Sequence, residues 1–355
     1  MPSIHTVTHA FPDHYYPQEL LLDALRTHWI KSGGHSNLNR LEHIHRNVGV
    51  NGRHLALPME EYEKLEGFEA KNNAWIRSAL DLGETVLCDL LEKADMQPDQ
   101  VSQIIFTTVT GIGVPSIEAR LMNRIPFSPH LKRVPLFGLG CVAGAAGLAR
   151  LADYLRGHPN EAAILLSIEL CSLTIQQDDF SIANIISSAL FGDSATTLLM
   201  VGDDHPQAGG GLPRVLDSRS IFFPNTEHIM GWEVVDSGLR ISLSADVTEV
   251  AEVQLRPGVE AFLAVHGLSI GDIKHWIAHP GGPKVIQAIE SGLGLGEHAL
   301  DLSRESLAAV GNLSSSSVLL ILEETLSRFQ PEPGSYGLLM AMGPAFCAEL
   351  VLLQW

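Results

Sequence analysis

The feature that most constrains this chain is an internal repeat whose two copies lie about half a chain length apart. Three short patterns recur, and each second copy follows its first by 171 to 174 residues. The pairs are residues 101–105 with 273–277, Gly140-Cys141 with Gly311-Asn312, and residues 164–166 with 338–340. A near-constant offset across separate elements indicates a gene duplication. We therefore expect two similar domains, residues 1–205 and 206–355, which meet near a Pro- and Gly-containing linker at 201–211.

Both halves alternate short apolar β-rich runs with helical patterns. The expected strands are residues 103–108, 134–137, 162–168 and 195–201 in the first half, and 275–278, 336–342 and 348–353 in the second. Helices are expected over residues 142–155 and about 315–328. Strands this apolar are typical of a sheet that helices cover on both faces. The sequence therefore predicts an α/β fold.

The composition excludes several classes of protein. Of the 355 residues, 45% are hydrophobic and 18% are charged, so the chain can bury a large core and is not disordered. A formal net charge of -18 without a basic block argues against nucleic-acid binding. An anionic substrate would need a local positive patch to offset this negative field.

The cysteines and the chain ends point to a cytoplasmic protein. Four cysteines are scattered without a C-x-x-C pattern, so we expect neither a disulfide framework nor a bound metal. The first ten residues show no targeting pattern. The apolar segment 337–355 contains Pro344 and Glu349, so we expect no membrane span.

Cys141 is the clearest candidate for chemistry. It follows an apolar strand and a Gly-x-Gly turn, and it opens a helix rich in alanine and glycine. A thiol at a helix N-terminus lies in the positive end of the helix dipole, which favours the nucleophilic thiolate. The alternative is an ordinary buried cysteine, which is common in protein cores.

The same turn also fits a different function. Residues 138–143 match G-x-G-x-x-[GA] between a strand and a helix, which is typical of dinucleotide-binding oxidoreductases. Glu169 would be the ribose-binding acid, although it lies further along than the usual spacing of about 20 residues.

His279 and Asn312 complete a possible catalytic set. His279 ends a buried strand and enters a Pro/Gly turn, although the chain has 16 histidines and any one of them can be structural. Asn312 occupies the duplicated counterpart of Cys141, where it would either cap a helix or donate to an oxyanion. A thiolate, an imidazole and an amide are the groups that acyl transfer and carbanion chemistry need.

Five segments in order resemble the type III polyketide synthases, the chalcone-synthase-like enzymes. They are residues 140–144 (GCVAG), 191–195 (FGDSA), 279–283 (HPGGP), 311–314 (GNLS) and 343–344 (GP). The initiating ketoacyl synthases of fatty-acid synthesis share the Cys, His, Asn set, but they carry a His-Gln-Ala-Asn-like segment where this chain has HPGGP. That difference favours the polyketide synthases.

The resemblance implies a thiolase-like fold of two αβαβα halves, a homodimer, and no metal or other cofactor. It implies that Cys141 carries an acyl group taken from an acyl-CoA. His279 and Asn312 would bind the thioester carbonyl of malonyl-CoA and stabilise the enolate that forms on decarboxylation.

The resemblance also implies substrate contacts. Phe191 matches the family's gatekeeper between the CoA tunnel and the inner cavity, and Pro344 belongs to the loop at the cavity floor. The cavity-wall positions are Val109, Thr110, Val114, Cys171, Thr174, Gly231, Ile241 and Ser314. The candidates for CoA binding are Arg40, His43, Arg46, Lys284, Gly281 and Gly282.

Three cavity positions suggest the starter. Val114, Cys171 and Ile241 are smaller or less polar than the residues usual in plant enzymes, which favours a fatty acyl-CoA starter and an alkylpyrone or alkylresorcinol product. The alternatives are a malonyl-primed synthase of a small aromatic such as tetrahydroxynaphthalene, an initiating ketoacyl synthase, and the nucleotide-binding oxidoreductase.

Overall fold

Strands and helices alternate along both halves of the chain in the computed structural model, which describes residues 1–32, 37–244 and 246–355. The first half contains β1 (Ser3–Ala10), β2 (His14–Pro17), α1 (Gln18–Ser32), α2 (Leu38–Asn47), β3 (Gly52–Leu55), α3 (Gly67–Lys93), β4 (Val101–Thr108), α4 (Ile117–Leu121), β5 (Lys132–Phe137), α5 (Ala143–Gly157), β6 (Ala162–Leu170), α6 (Ile182–Leu190) and β7 (Asp193–Val201).

The second half shares only part of this order and has fewer strands in the described residues. It contains β8 (Arg214–Phe222), β9 (Met230–Val235), β10 (Gly238–Leu243), α7 (Val247–Val265), β11 (Ile273–Ala278), α8 (Pro283–Leu293), α9 (Asp301–Val310), α10 (Ser315–Glu324), β12 (Tyr336–Gly343) and β13 (Cys347–Gln354). The strands and helices expected from the apolar runs are all present. The helix expected to reach residue 328 changes to a π-helical turn after Glu324.

Among the described residues, nine strands form one mixed sheet in the order β11-β12-β13-β8-β1-β7-β6-β4-β5. Neighbours are parallel in β4–β5, β4–β6 and β11–β12, and antiparallel elsewhere. The two halves join where β1 meets β8 over a short stretch centred on Ser3 and Arg214. The sheet is thus continuous, although each half has its own set of strands.

The alternation of side chains along β6 shows how the layers form. Ile164 and Leu166 pack in one cluster with α3, whereas Ala163 and Leu165 pack in another cluster with α5. Every residue of β6 is buried, as expected for a strand with helices on both faces. Burying a leucine side chain is worth roughly 1.5–3 kcal/mol, so these two-sided strands contribute much of the core.

The second half follows the same rule. Leu338 and Met340 of β12 pack with α7 and α8, whereas Leu339 and Ala341 face the central cluster that contains α5 and α10. The layers therefore run α3, first-half strands, α5 with α10, second-half strands, α7 with α8. This arrangement is the α-β-α-β-α order that the resemblance implied, and the α/β fold class is confirmed.

Candidate active site

A cavity of about 410 Å³ lies where the two halves meet. Its walls come from α2, the start of α5, the end of α6, the β9–β10 hairpin and the loops of the second half. It is lined by His43, Ile44, Asn47, Val48, Cys141, Ile186, Leu190, Phe191, Met230, Trp232, Ile241, Leu243, Ser244, Val247, Thr248, His279, Gly281, Gly282, Pro283, Lys284, Val285, Asn312, Met342, Pro344 and Phe346. Cys141, His279 and Asn312 therefore share one cavity.

Cys141 lies in a 3-10 turn, Gly140–Val142, that leads directly into α5. The preceding Gly140 has a φ of +56°, and a side chain there would meet the ring of Pro344, so glycine is required at this turn. The thiol is 8% exposed, and its Sγ lies 3.7 Å from the Ser314 Oγ, to which it donates. Burial raises the pKa of Cys141 to about 12, against the smaller lowering effect of the Ser314 hydrogen bond. The helix dipole alone, on which the sequence argument relied, does not decide the state of this thiol.

His279 follows β11, and its backbone N–H donates to the Met340 carbonyl at 2.9 Å, which fixes the residue at the end of the sheet. The side chain is 5% exposed, and neither ring nitrogen has a hydrogen-bond partner among the described residues. Burial lowers the pKa of His279 to about 3. Leaving a buried polar group without a partner is unfavourable, so the imidazole is suited to accept a hydrogen bond or proton within the cavity.

Asn312 precedes α10, and its amide is held at both ends. The Ser314 N–H donates to Oδ1 at 2.8 Å, which leaves Nδ2 as the donor, and Nδ2 contacts the Gly281 carbonyl at 3.3 Å. The Asn312 N–H donates to the Leu190 carbonyl at 2.8 Å. The Gly192 N–H in turn donates to the Asn312 carbonyl at 3.0 Å. These backbone bonds place the gatekeeper candidate Phe191 beside Asn312, across the boundary between the halves.

The β9–β10 hairpin supplies a cavity residue that the sequence argument did not select. Trp232 pairs with Ile241 across the hairpin, so both side chains lie on one face, and both line the cavity. The Trp232 ring centroid is 6.5 Å from that of Phe191. The available signal was the alternation of Met230 and Trp232 around Gly231, because residues two apart on a strand share a face. Gly231 itself does not line the cavity.

Several expected cavity-wall residues are buried without lining the cavity. Thr110 is engaged elsewhere, because its Oγ1 accepts from Trp75 Nε1 at 3.2 Å and from the Leu170 N–H at 2.9 Å. Thr174 donates through Oγ1 to the Cys171 carbonyl at 2.7 Å. Val109, Thr110, Cys171 and Thr174 are each at most 5% exposed and lie behind the lining. Ser314 does not line the cavity either, but its hydroxyl accepts from the Cys141 thiol.

Val114 lies outside the cavity of its own chain. Its side chain is 92% exposed and does not line the cavity of its own chain. It lies in the loop after β4, six residues beyond Thr108, and this loop carries the residue outwards rather than towards Cys141. Its small size therefore says nothing about the width of the cavity within one chain.

The candidates for CoA binding separate into two groups. His43, Lys284, Gly281 and Gly282 line the cavity, and the first two are exposed side chains at its mouth. Arg40 and Arg46 are exposed on α2 but do not line the cavity. On a helix, residues three or four apart share a face, so Arg40 lies one turn from His43 and Ile44. The mouth thus carries one lysine, with further cations within a helical turn.

Glu169 does not fit the dinucleotide interpretation. The carboxylate is fully buried, where Oε1 accepts from the Ser315 hydroxyl at 2.5 Å and Oε2 accepts from the Val109 N–H at 3.1 Å. Burial raises its pKa to about 7. A ribose has no access to a carboxylate enclosed between β6 and α10. The glycine turn instead presents Cys141 to the cavity.

The described part of the chain contains no group of three or more His, Cys, Asp or Glu side chains that is suited to hold a metal ion. No helix within it is both long and apolar enough to cross a membrane.

Comparison with known families decides the class of the protein. Residues 2–205 match the family model of the N-terminal domain of chalcone and stilbene synthases, and residues 215–355 match that of the C-terminal domain. The chain belongs to the chalcone and stilbene synthase family. It is therefore an enzyme of the ketosynthase type, and this family works on CoA thioesters without a cofactor.

Individual members of the family are similar to almost the whole chain. The 1,3,6,8-tetrahydroxynaphthalene synthase of Streptomyces peucetius subsp. caesius is 46% identical over 353 residues, covering 99% of this chain and 93% of the relative. A putative chalcone synthase of Bacillus subtilis (strain 168) is 36% identical, covering 90% of each chain.

A solved structure agrees with this assignment. The crystal structure of the tetrahydroxynaphthalene synthase of Streptomyces coelicolor A3(2), a bacterial type III polyketide synthase, superposes with a TM-score of 0.93 at 28% identity and covers 99% of both chains. The resemblance to the type III polyketide synthases and the thiolase-like fold expected from it are thus confirmed.

Proposed function

We propose that this type III polyketide synthase is primed by malonyl-CoA and makes a small aromatic product of the tetrahydroxynaphthalene type. The observation that carries this proposal is the 46% identity, along 99% of the chain, with an enzyme named for that product. The naphthalene skeleton has ten carbons, which is the number that five malonyl-CoA molecules supply when each loses its carboxylate carbon as carbon dioxide. The fatty acyl starter expected from the sequence is thereby the second candidate.

In the first step the Cys141 sulfur attacks the thioester carbonyl of the starter. The new bond joins Sγ to the acyl carbon, the bond from that carbon to the CoA sulfur breaks, and the thiol proton passes by way of His279 to the departing CoA thiolate. Two features support this role for Cys141: its position in the cavity and the absence of any other partner for the His279 ring nitrogens among the described residues.

In the second step malonyl-CoA loses carbon dioxide and becomes a carbon nucleophile. The bond to the carboxylate carbon breaks, and its electron pair becomes an enolate whose oxygen is stabilised by the Asn312 amide and His279. The enolate carbon attacks the Cys141 thioester, a carbon–carbon bond forms, and the Sγ–acyl bond breaks. Reloading of the lengthened chain onto Cys141 repeats the cycle, and intramolecular condensation closes the rings.

The size of the cavity supports a short starter. The volume of about 410 Å³ extends from the mouth residues His43 and Lys284 to Cys141, so the pantetheine arm of CoA and the growing chain share it. Phe191 and Trp232 narrow it from two sides. One observation favours an aliphatic starter instead: much of the wall is apolar, including Ile186, Leu243 and Val247.

Incubation with malonyl-CoA alone, followed by mass spectrometry of the products, distinguishes the candidates. We expect a ten-carbon aromatic product from the wild type and none from Cys141→Ala, which should remain folded. In a second measurement, kcat/KM is compared across a series of starters from acetyl-CoA to palmitoyl-CoA. If malonyl-CoA alone gave no product and long starters were preferred, the aliphatic candidate would replace this proposal.

We also infer that the enzyme is a homodimer. The support is an exposed apolar surface at the sheet edge, where Phe137 at the end of β5 is 56% exposed and Val114, in the loop after the adjoining β4, is 92% exposed. Analytical ultracentrifugation at micromolar concentration measures this directly. A monomeric mass would refute the inference without affecting the proposed reaction.

A further inference from the structure

A second cavity, of about 140 Å³, opens on the first half between α1 and the 3-10 turn Met59–Lys64. Among the described residues, none lines both this cavity and the catalytic one. Most of its wall is apolar and includes Leu21, Leu25, Leu55, Leu65, Leu173 and Ile175. The polar residues of the wall are His28, Arg53, Tyr62, Glu63, Lys71, Ser172, Gln177 and Ser188. Two of them, Arg53 and Lys71, are buried cations.

Arg53 is 2% exposed and only partly satisfied. Its Nη1 donates to the Phe191 carbonyl at 2.9 Å, but Nε has no hydrogen-bond partner among the described residues. The side chain forms no salt bridge within that part of the chain. The carboxylate that most influences it, Asp193, accepts instead from the Ala56 N–H at 2.6 Å and the Ser172 N–H at 2.8 Å. A guanidinium has five N–H donors, and that of Nε is left without an acceptor.

Lys71 adds a second positive charge. It is 8% exposed, and its ammonium donates to the carbonyls of Ile175 and Ser237 at 2.9 and 3.1 Å. An ammonium has three donors, and in the described residues no carboxylate forms a salt bridge with it. The acidic side chains nearby are Glu63, which is exposed where it lines the cavity, and Asp178, which acts on Lys71 only from a distance.

The positive charge of Arg53 affects the pKa of the neighbouring His45. The pKa of His45 is lowered to about 4, mainly by burial and next by the positive charge of Arg53. Burial lowers the pKa of Arg53 itself to about 10, so it remains a cation at neutral pH. A buried cation with free donors beside an apolar wall is costly unless an acceptor group reaches it.

We propose that this second cavity binds a short straight-chain monocarboxylate, with its carboxylate on Arg53 and its alkyl chain against the leucines of α1. Arg53 and Lys71 present donors only, so a ligand that binds to them must supply acceptors. The apolar wall disfavours inorganic phosphate, and the small volume excludes a long fatty acid. Because Arg53 also holds the Phe191 carbonyl, an occupant would act on the residue that narrows the catalytic cavity.

The test measures binding rather than turnover, so its result is independent of the proposed reaction. The full-length protein is first alkylated at Cys141 with iodoacetamide to obstruct the catalytic cavity, and hexanoate is titrated in by calorimetry. We expect saturable binding that is about tenfold or more tighter than that of hexan-1-ol, because a charge-assisted hydrogen bond to Arg53 is lost in the alcohol. Equal binding of acid and alcohol, or no saturable binding because the cavity holds only water, would overturn the proposal.

Two variants on one helix locate the site. Leu25→Trp fills the cavity and should abolish hexanoate binding, whereas Leu20→Trp, at a residue that is 46% exposed and lines neither cavity, should leave it unchanged. Lys71→Met should weaken binding of hexanoate more than that of hexan-1-ol, because the substitution removes a positive charge but keeps an unbranched side chain in the cavity wall. Unchanged binding in Leu25→Trp would place the ligand elsewhere and refute the assignment.

Discussion

At the scale of single residues, ionisation of Cys141 alone, or of His279 alone, is unfavourable. Burial raises the pKa of the thiol to about 12 and lowers that of the imidazole to about 3. Both shifts reflect the cost of one isolated charge on a buried side chain. Transfer of the proton from sulfur to nitrogen creates two opposite charges together, which partly offset that cost. We therefore predict that the thiolate depends on the presence of His279.

His279→Ala should consequently shift the pH dependence of Cys141 alkylation. Without a partner, the thiol keeps the pKa that burial raises above its ordinary value of about 8.5, so it is protonated at neutral pH. Iodoacetamide reacts with the thiolate, so the rate near pH 7 should fall and should recover as the pH rises. Intact-mass spectrometry gives the rate, and Asn312→Ala is the control. Identical profiles for wild type and His279→Ala would show that the imidazole does not support the thiolate.

Asn312→Asp should distinguish the two roles of this side chain: the hydrogen bond that orients it and the donor that it offers to the enolate oxygen. The aspartate keeps an oxygen for the Ser314 N–H but replaces the Nδ2 donor with a second acceptor. Malonyl-CoA decarboxylation should fall by about a hundred- to a thousandfold, as when an oxyanion donor is removed, while alkylation of Cys141 continues. Release of carbon dioxide from labelled malonyl-CoA measures the loss. A variant with nearly wild-type decarboxylation would exclude Asn312 as the donor.

At the scale of elements, the central helices α5 and α10 are in contact at a glycine. A Cβ on Gly144 would clash with the Ser315 backbone oxygen, and it would also lie 2.8 Å from a methyl group of Val318. Small residues at the start of α5 therefore determine how closely Cys141 and the Asn312 loop approach each other. These small residues were visible in the sequence, but the sequence did not reveal that α10 is the helix that packs against them.

Gly144→Ala should destabilise the fold by about 1–3 kcal/mol, the usual cost of overpacking a core. Gly157→Ala is the matched control, because it lies at the other end of α5 with nothing within 4 Å of its Cβ. Alanine is the better helix former, so the control should be neutral or slightly stabilised. Urea denaturation gives both values. Equal midpoints for the two variants would mean that α5 and α10 separate without cost.

The cavity wall shows where prediction from sequence stops. Strands such as β6 were predictable because their apolar runs need cover on both faces. The pairing of Trp232 with Ile241 was not, because the register of a hairpin depends on its turn and partner. The exposure of Val114 was not predictable for a related reason: a local pattern does not reveal whether a loop turns towards the cavity or away from it. That Cys141, His279 and Asn312 share a cavity was predictable because each residue stands at the end of a strand or the start of a helix.

At the scale of the whole molecule, the net charge of -18 opposes a substrate that carries several phosphates. The structure places Lys284 and His43 at the mouth of the catalytic cavity, with Arg40 on the same helix as His43. Local cations of this kind attract a phosphorylated substrate within a Debye length of about 10 Å at moderate salt, even on an acidic protein. The cations at the mouth thus offset the negative potential of the whole protein only close to the mouth.

Lys284→Ala should therefore weaken the binding of CoA substrates without slowing the chemical steps. We expect KM for malonyl-CoA to rise about two- to fivefold at low salt, as for the loss of an exposed ion pair, with kcat unchanged. Lys274→Ala is the control, since that lysine is exposed on β11 and lines neither cavity. Malonyl-N-acetylcysteamine, which lacks the phosphates of CoA, should react equally with wild type and variant. Added salt should reduce the difference in KM, because it screens the same charges. A loss of kcat with both substrates would instead mean that Lys284 acts through the adjoining turn that contains His279 and Gly282.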